Sequence, residues 1–236
     1  SPPLPWTPAP PPRALPPVAN PPTEMALDWL RRGQACEAKN TEAALIEAVR
    51  CYDEAIALLR SVKPNAGEST GRDLGVAWMN RGNALQKQAT PASLAAALSA
   101  YDEAIALLRA LRVDCTDSLS PRNSLGAAWM NRGLVLHRQA TAESIAGAVH
   151  SQREAVSTLQ GLPRDQASWY RNNLAAAWMN LANALLDSTL SDRLAEARAA
   201  ARESLAVVVA EETTDPVAAE LGLKARRVWC DAIGQL

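Results

Sequence analysis

Two phrases that return along the chain at a fixed spacing constrain this sequence more than any other feature. The first is Ala77-Trp78-Met79-Asn80-Arg81-Gly82-Asn83-Ala84-Leu85. It returns as Ala128 to Leu136 and as Ala177 to Leu185, with a shorter copy at Asp28 to Gly33. The second is Tyr52 to Arg60, repeated verbatim at Tyr101 to Arg109 and in diverged form at Gln152 to Val156 and Ala201 to Leu205. Trp29, Trp78, Trp129, Trp178 and Trp229 are separated by 49, 51, 49 and 51 residues. Glu54, Glu103, Glu154 and Glu203 each follow a tryptophan by 25 residues. Length varies only in the glutamate-to-tryptophan connection, of 24 or 26 residues. A constant internal distance beside a variable connector marks a folded unit strung on loops, and a repeat period of this size means an array.

Both phrases carry the periodicity of a helix. Ala77, Trp78, Gly82 and Leu85 share one face, as do Ala97, Tyr101, Ala104, Ile105 and Leu108. Pro64, Pro121, Pro163 and Pro216 fall in the connectors, and Pro91 follows Thr90, where a first-turn proline is tolerated. The spacing predicts nine helices, over about 24–39, 42–61, 70–89, 91–112, 121–140, 142–161, 165–187, 191–212 and 216–233, with boundaries good to about two to four residues. One helical hairpin cannot bury its apolar face alone, so neighbours stack around a shared core. The glycine of the first phrase is expected to let the second helix approach, and the tryptophan to fill the space between the two helices. The ninth helix, with Trp229 in register, is expected to cap the last hairpin, with Lys224, Arg226 and Arg227 on its wet face.

The units resemble tetratricopeptide repeats. That family's first helix carries W-x-x-L-G-x-x-Y, matched here by Trp78, Arg81, Gly82 and Leu85. Its second helix carries alanine, an aromatic four residues on and alanine three further, matched by Ala97, Tyr101 and Ala104, and by Ala48, Tyr52 and Ala55. The likeness covers about residues 24–236. It departs from the family in its period, about 50 rather than 34 residues, and in its displaced terminal proline. The resemblance implies an all-α fold: a right-handed superhelical solenoid of about four hairpins plus a C-terminal capping helix. The hairpins are expected over 24–62, 70–112, 121–162 and 165–212, and the cap over 216–233.

In the resembled family, first helices line the concave face. Carried over, tryptophan +1 gives Leu30, Met79, Met130 and Met179, and +2 gives Arg31, Asn80, Asn131 and Asn180. Position +5 gives Gln34, Asn83, Leu134 and Asn183, while +8 and +9 give Glu37, Gln86, Lys87, His137, Arg138, Leu186 and Asp187. An asparagine amide offers both a donor and an acceptor, which matches a peptide bond. A ladder of Asn80, Asn131 and Asn180 is therefore expected to hold a peptide by its backbone over an adaptable methionine floor. The competing reading makes these asparagines structural bridges between repeats. A clamp of Lys87, Arg132 and Arg138 on an acidic C-terminus is the weaker variant, because methionine or leucine stands where that clamp needs lysine. The candidate groove is thus Met79, Asn80, Asn83, Lys87, Met130, Asn131, His137, Arg138, Met179, Asn180 and Asn183.

Composition narrows the remaining choices. Lysine plus arginine total 24 against 25 aspartate plus glutamate, a balance that argues against binding driven by phosphate neutralisation. No apolar run approaches the roughly 18 residues of a membrane span. Cys36, Cys51, Cys115 and Cys230 make no C-x-x-C pair and no zinc spacing, so free thiols and a cytoplasmic location are expected. No nucleophile motif, phosphate loop or metal set stands out, and the four repeated glutamates are expected to be solvated or paired across their hairpins. Eleven of the 16 prolines lie in residues 1–22, which read as a proline-rich arm or linker in polyproline II form; Trp6 and Leu15 could dock it on this chain or a neighbouring copy. The sequence therefore reads as a non-enzymatic module that binds a peptide or protein segment, with no cofactor, catalytic residue, metal, nucleic acid or membrane. The alternatives are a regulatory or substrate-docking module of a larger enzyme, or a scaffold that self-assembles as a homo-oligomer.

Overall fold

The computed structural model describes residues 21–62, 68–111, 119–160, 168–208 and 215–234. The arm at 1–20 lies outside the described residues. All nine helices found among them match the expected set: α1 (Pro21–Lys39), α2 (Glu42–Ser61), α3 (Glu68–Gln88), α4 (Pro91–Ala110), α5 (Leu119–Gln139), α6 (Ala142–Gln160), α7 (Ser168–Leu186), α8 (Arg193–Val208) and α9 (Pro216–Gly234). Helix α1 starts two residues inside the stretch read as arm, with prolines in its first turn. Pro121 and Pro216 likewise sit in the first turns of α5 and α9, where an amide hydrogen would have no helical acceptor.

Three hairpin turns are closed by one device. Asn40, Ala89 and Ala140 adopt left-handed backbone, with φ of 51°, 58° and 55°. A threonine follows each and caps the second helix. Thr90 Oγ1 accepts the amide of Ser93 at 3.1 Å while Ser93 Oγ accepts the amide of Thr90 at 3.0 Å, and Thr141 with Ser144 does the same. This reciprocal cap satisfies two otherwise orphaned donors.

The helices of a hairpin meet through small residues. A Cβ on Gly33 would stand 2.5 Å from the Tyr52 ring, one on Gly82 2.6 Å from Tyr101, and one on Gly133 2.4 Å from Gln152. The fourth hairpin has Ala182 and Ala201, both fully buried, at these positions. Three residues before each tryptophan stands a second small residue: Ala26, Gly75, Gly126 or Ala175. Gly75 admits Leu108 and Gly126 admits Leu159. Helix α9 departs from this pattern. Three residues before Trp229 stands Arg226, so α9 is not shaped as the first helix of another hairpin, and Trp229 is 42 % exposed.

The tryptophans do not fill the space inside the hairpins, contrary to expectation, because Tyr52, Tyr101 and Gln152 already occupy it. The indoles of Trp78 and Trp129 lie in the seams between hairpins. The Trp78 ring is bracketed by the guanidinium of Arg60, from the preceding hairpin, at 5.1 Å and that of Arg81 at 5.5 Å. Trp129 is bracketed by Arg109 at 4.9 Å and Arg132 at 5.8 Å, with the His150 ring edge-on. The same arginines tie the seam together: Arg81 donates to Asp53 at 2.6 Å and Arg132 to Asp102 at 2.7 Å. Two of the repeated glutamates pair between hairpins rather than across one. Glu103 meets Arg60 at 3.8 Å and Glu154 meets Arg109 at 2.6 Å.

Successive first helices (α1, α3, α5, α7) touch, and α9 continues that row against α7. The backbones of successive second helices make no such approach among the described residues; ion pairs between long side chains, such as Arg153–Glu196 at 2.7 Å, bridge them. The row of first helices is therefore the inner face of the curve.

Candidate functional site

The inner face is built from first-helix residues that the hairpin core leaves over. Gly33 and Gly82 let Tyr52 and Tyr101 lie flat between their helices, fully buried. Each ring then points its hydroxyl at the C-terminal end of the first helix. Tyr52 donates to Glu37 at 2.9 Å. The Tyr101 hydroxyl lies 2.9 Å from Asn83 Oδ1 and 2.8 Å from Gln86 Oε1, and its single proton serves one of them at a time. Burial first, and the Glu37 carboxylate second, push both phenols well above their ordinary range, so both remain neutral donors.

Bridges between hairpins complete the arrangement. Asn131 Nδ2 donates to Asn83 Oδ1 at 2.9 Å. Lys87 pairs with Glu37 of the preceding hairpin at 2.7 Å. The result is a cavity of about 660 Å³ lined by Glu37, Asn40, Asn83, Gln86, Lys87, Ala89, Asn131 and Arg138. Its charges sum to one positive, because Glu37 offsets Lys87 and leaves the exposed Arg138. Its amides offer donors and acceptors together. No group of His, Cys, Asp and Glu that could hold a metal is found among the described residues.

The structure brings some of the expected groove residues together and separates others. Asn83, Lys87, Asn131 and Arg138 meet in the cavity. Asn80 does not: it is buried, with its Nδ2 unpartnered. The methionines do not form an open floor, since Met179 is buried and Met79 and Met130 pack against the core. His137 lies further along the face, 2.8 Å from Asp187. Asn180 and Asn183 are half-buried on α7. Arg132 is engaged in the seam with Asp102 and Ser151, which removes it from any clamp. Sequence reasoning missed the Glu37–Lys87 pair, although its signal was present: opposite charges at tryptophan +8 and +9, one repeat apart.

The fold has counterparts among solved structures. A kinesin light chain-type protein from Podosopora anserina with nearly identical TPR-like repeats aligns at a TM-score of 0.56 and 15% identity, over 91% of this chain and 89% of its own. BtubC (BKLC) from P. vanneervenii aligns at 0.51 and 12% identity, over 91% and 90%. The fold is that of TPR-like helical repeats. The chain matches no protein-family model and none of the curated proteins. No described helix is long and apolar enough to cross a membrane.

Proposed function

We propose that this TPR-like chain is a non-enzymatic interaction module that holds an extended peptide or protein segment on its inner face, anchored over the cavity between α1, α3 and α5. TPR-like repeats in general serve as interaction or scaffold modules. The observation that carries the finer reading is the amide-rich lining: Asn40, Asn83, Gln86 and Asn131 around one cavity. Such a lining can pair with the C=O and N–H groups of an extended backbone at little desolvation cost. Arg138 would add attraction for an acidic side chain of the bound segment. His137 and the half-buried Asn180 and Asn183 lie further along the same row of helices, outside the anchor.

Selection from a display library of random peptides, followed by calorimetry on the full chain, tests this. Binders whose affinity falls at least tenfold with Asn83→Ala/Asn131→Ala, in protein that still melts cooperatively, support the anchor. Binders indifferent to that change would move the contact to the outer face or to the arm. A mass that grows with concentration, without peptide, would favour the self-assembling scaffold.

A further inference from the structure

Two seams between hairpins share one pattern, and the first hairpin carries half of it. In the seam before α3, the Arg60 guanidinium lies 5.1 Å over the Trp78 ring and 3.8 Å from Glu103. In the seam before α5, Arg109 lies 4.9 Å over Trp129 and 2.6 Å from Glu154. One arginine thus serves both an indole and the glutamate 25 residues after it. The inner bracket is the arginine three residues after the tryptophan, Arg81 at 5.5 Å and Arg132 at 5.8 Å. In the first hairpin Trp29 and Glu54 hold the same register, and Arg32 brackets the indole at 5.0 Å. No outer guanidinium is found there among the described residues; Trp29 is half-buried, and Glu54 is exposed with no ion-pair partner. The seam before α7 drops both arginines, with Gln160 and Leu181 at their positions. The first hairpin is therefore the one place among the described residues where the inner bracket stands without the outer.

We infer that the edge formed by Trp29 and Glu54 is a docking surface for this chain's own residues 1–20, with Arg13 as the outer guanidinium. Arg13 is the only charged side chain in that segment, and arginine is the residue type that fills this place in the next two seams. The surface is its complement: Glu54 offers a carboxylate and Trp29 a ring face. The length suffices. Trp29 lies eight residues into α1, about 12 Å from its start. The eight steps from Arg13 to Pro21 span about 25 Å in polyproline II form, which leaves slack for the sideways step to the seam. Nine prolines in residues 1–20 restrict the free segment, which lowers the entropy lost on docking. The end units of a repeat array need a cover that no neighbouring repeat supplies. Helix α9 covers one end against α7 and α8; residues 1–20 cover the other.

Trypsin tests this, because Arg13 is the only lysine or arginine in residues 1–20 and a guanidinium held in the seam is shielded from the protease. The full chain is treated with dilute trypsin under native conditions, and release of residues 1–13 is followed by mass spectrometry. Glu54→Gln and Trp29→Leu should each speed that release about threefold, and together about tenfold, through loss of an exposed ion pair and a cation–π contact. Glu203→Gln, at the matching position of the fourth hairpin, should leave the rate unchanged. Glu54 is exposed, so Glu54→Gln keeps the fold even where Trp29→Leu weakens it. In a second readout, Arg13→Glu should quicken amide exchange in α1, and Glu54→Arg added to it should restore most of the protection. One release rate shared by wild type, Glu54→Gln and Trp29→Leu would overturn the inference. Protection that disappears on dilution would place Arg13 on a neighbouring copy, and would overturn it too.

Discussion

The second and third hairpins solve one packing problem with two chemistries. In both, a glycine four residues after the tryptophan lets the second helix approach. In the second, that glycine faces Tyr101, whose hydroxyl reaches the polar end of the hairpin and meets Asn83 and Gln86. In the third, Gly133 faces Gln152, whose shorter side chain donates to the backbone carbonyl of Met130 at 2.9 Å and leaves its own Oε1 unpartnered. The fourth has only alanines there. The polar cavity accordingly coincides with the tyrosine-bearing hairpins. From α4 to α9 the core becomes one large apolar cluster, which includes Trp129, Leu159, Leu174, Leu185 and Val208. A repeat array thus keeps its backbone spacing constant while one facing side chain decides whether the inner face is polar or dry.

That contrast is most severely tested in the dry half. Trp129 is 7 % exposed and bracketed by two guanidiniums. Trp129→Ala should cost about 3–5 kcal/mol by chemical denaturation. Trp78→Ala, at a half-exposed seam, should cost less. A Trp129→Ala chain with an unchanged denaturation midpoint would contradict this packing. Next is Gly82→Val, which drives two methyl groups into the Tyr101 ring and should cost on the order of 3 kcal/mol. Ala182→Gly, in the fourth hairpin, should cost only about 1 kcal/mol, from helix propensity.

Gln152→Tyr sharpens the comparison from the other side. It gives Gly133 the ring that Gly33 and Gly82 already face and removes a buried unpartnered oxygen. A gain of about 1 kcal/mol is expected, read as a higher melting temperature; a loss would mean that the third hairpin is not built to the plan of the second. Smaller still are Ala89→Gly and Ala140→Gly. Each relieves a left-handed alanine and should stabilise by about 0.5–1 kcal/mol, whereas Asn40→Gly should do less because asparagine tolerates that conformation.

The capping helix has its own signature. Asp215 accepts the Val217 amide at 2.9 Å and the Asn172 amide of α7 at 2.9 Å, and these bonds hold its carboxyl below the ordinary range. A depressed carboxyl pKa contributes stability that is present above the unfolded value and lost as pH falls through the folded one. Acidification should therefore loosen α9 first, seen as faster amide exchange in α9 than in α3; Asp215→Ala should reduce that pH dependence, leaving the exposed Glu220–Lys224 pair as the remainder.

The recurrence of Trp78 and Glu54 in register made the helices, their pairing and the fold legible. The tight turn at Thr90-Pro91 was equally readable, since a cap followed by a first-turn proline has few other uses. A repeat reports position along a helix but not which neighbour each face meets. That is why Trp129 was expected inside its hairpin rather than in the seam. It is also why Asn80 and Asn131, equivalent in sequence, separate into a buried position and a cavity wall.

The most direct test of the central claim compares two asparagine pairs for one selected peptide by calorimetry. Asn83→Ala/Asn131→Ala removes the cavity amides, and Asn180→Ala/Asn183→Ala removes those of the fourth hairpin. The account predicts at least a tenfold loss of affinity in the first and less than a threefold change in the second. Equal losses, or a loss confined to the second, would contradict it.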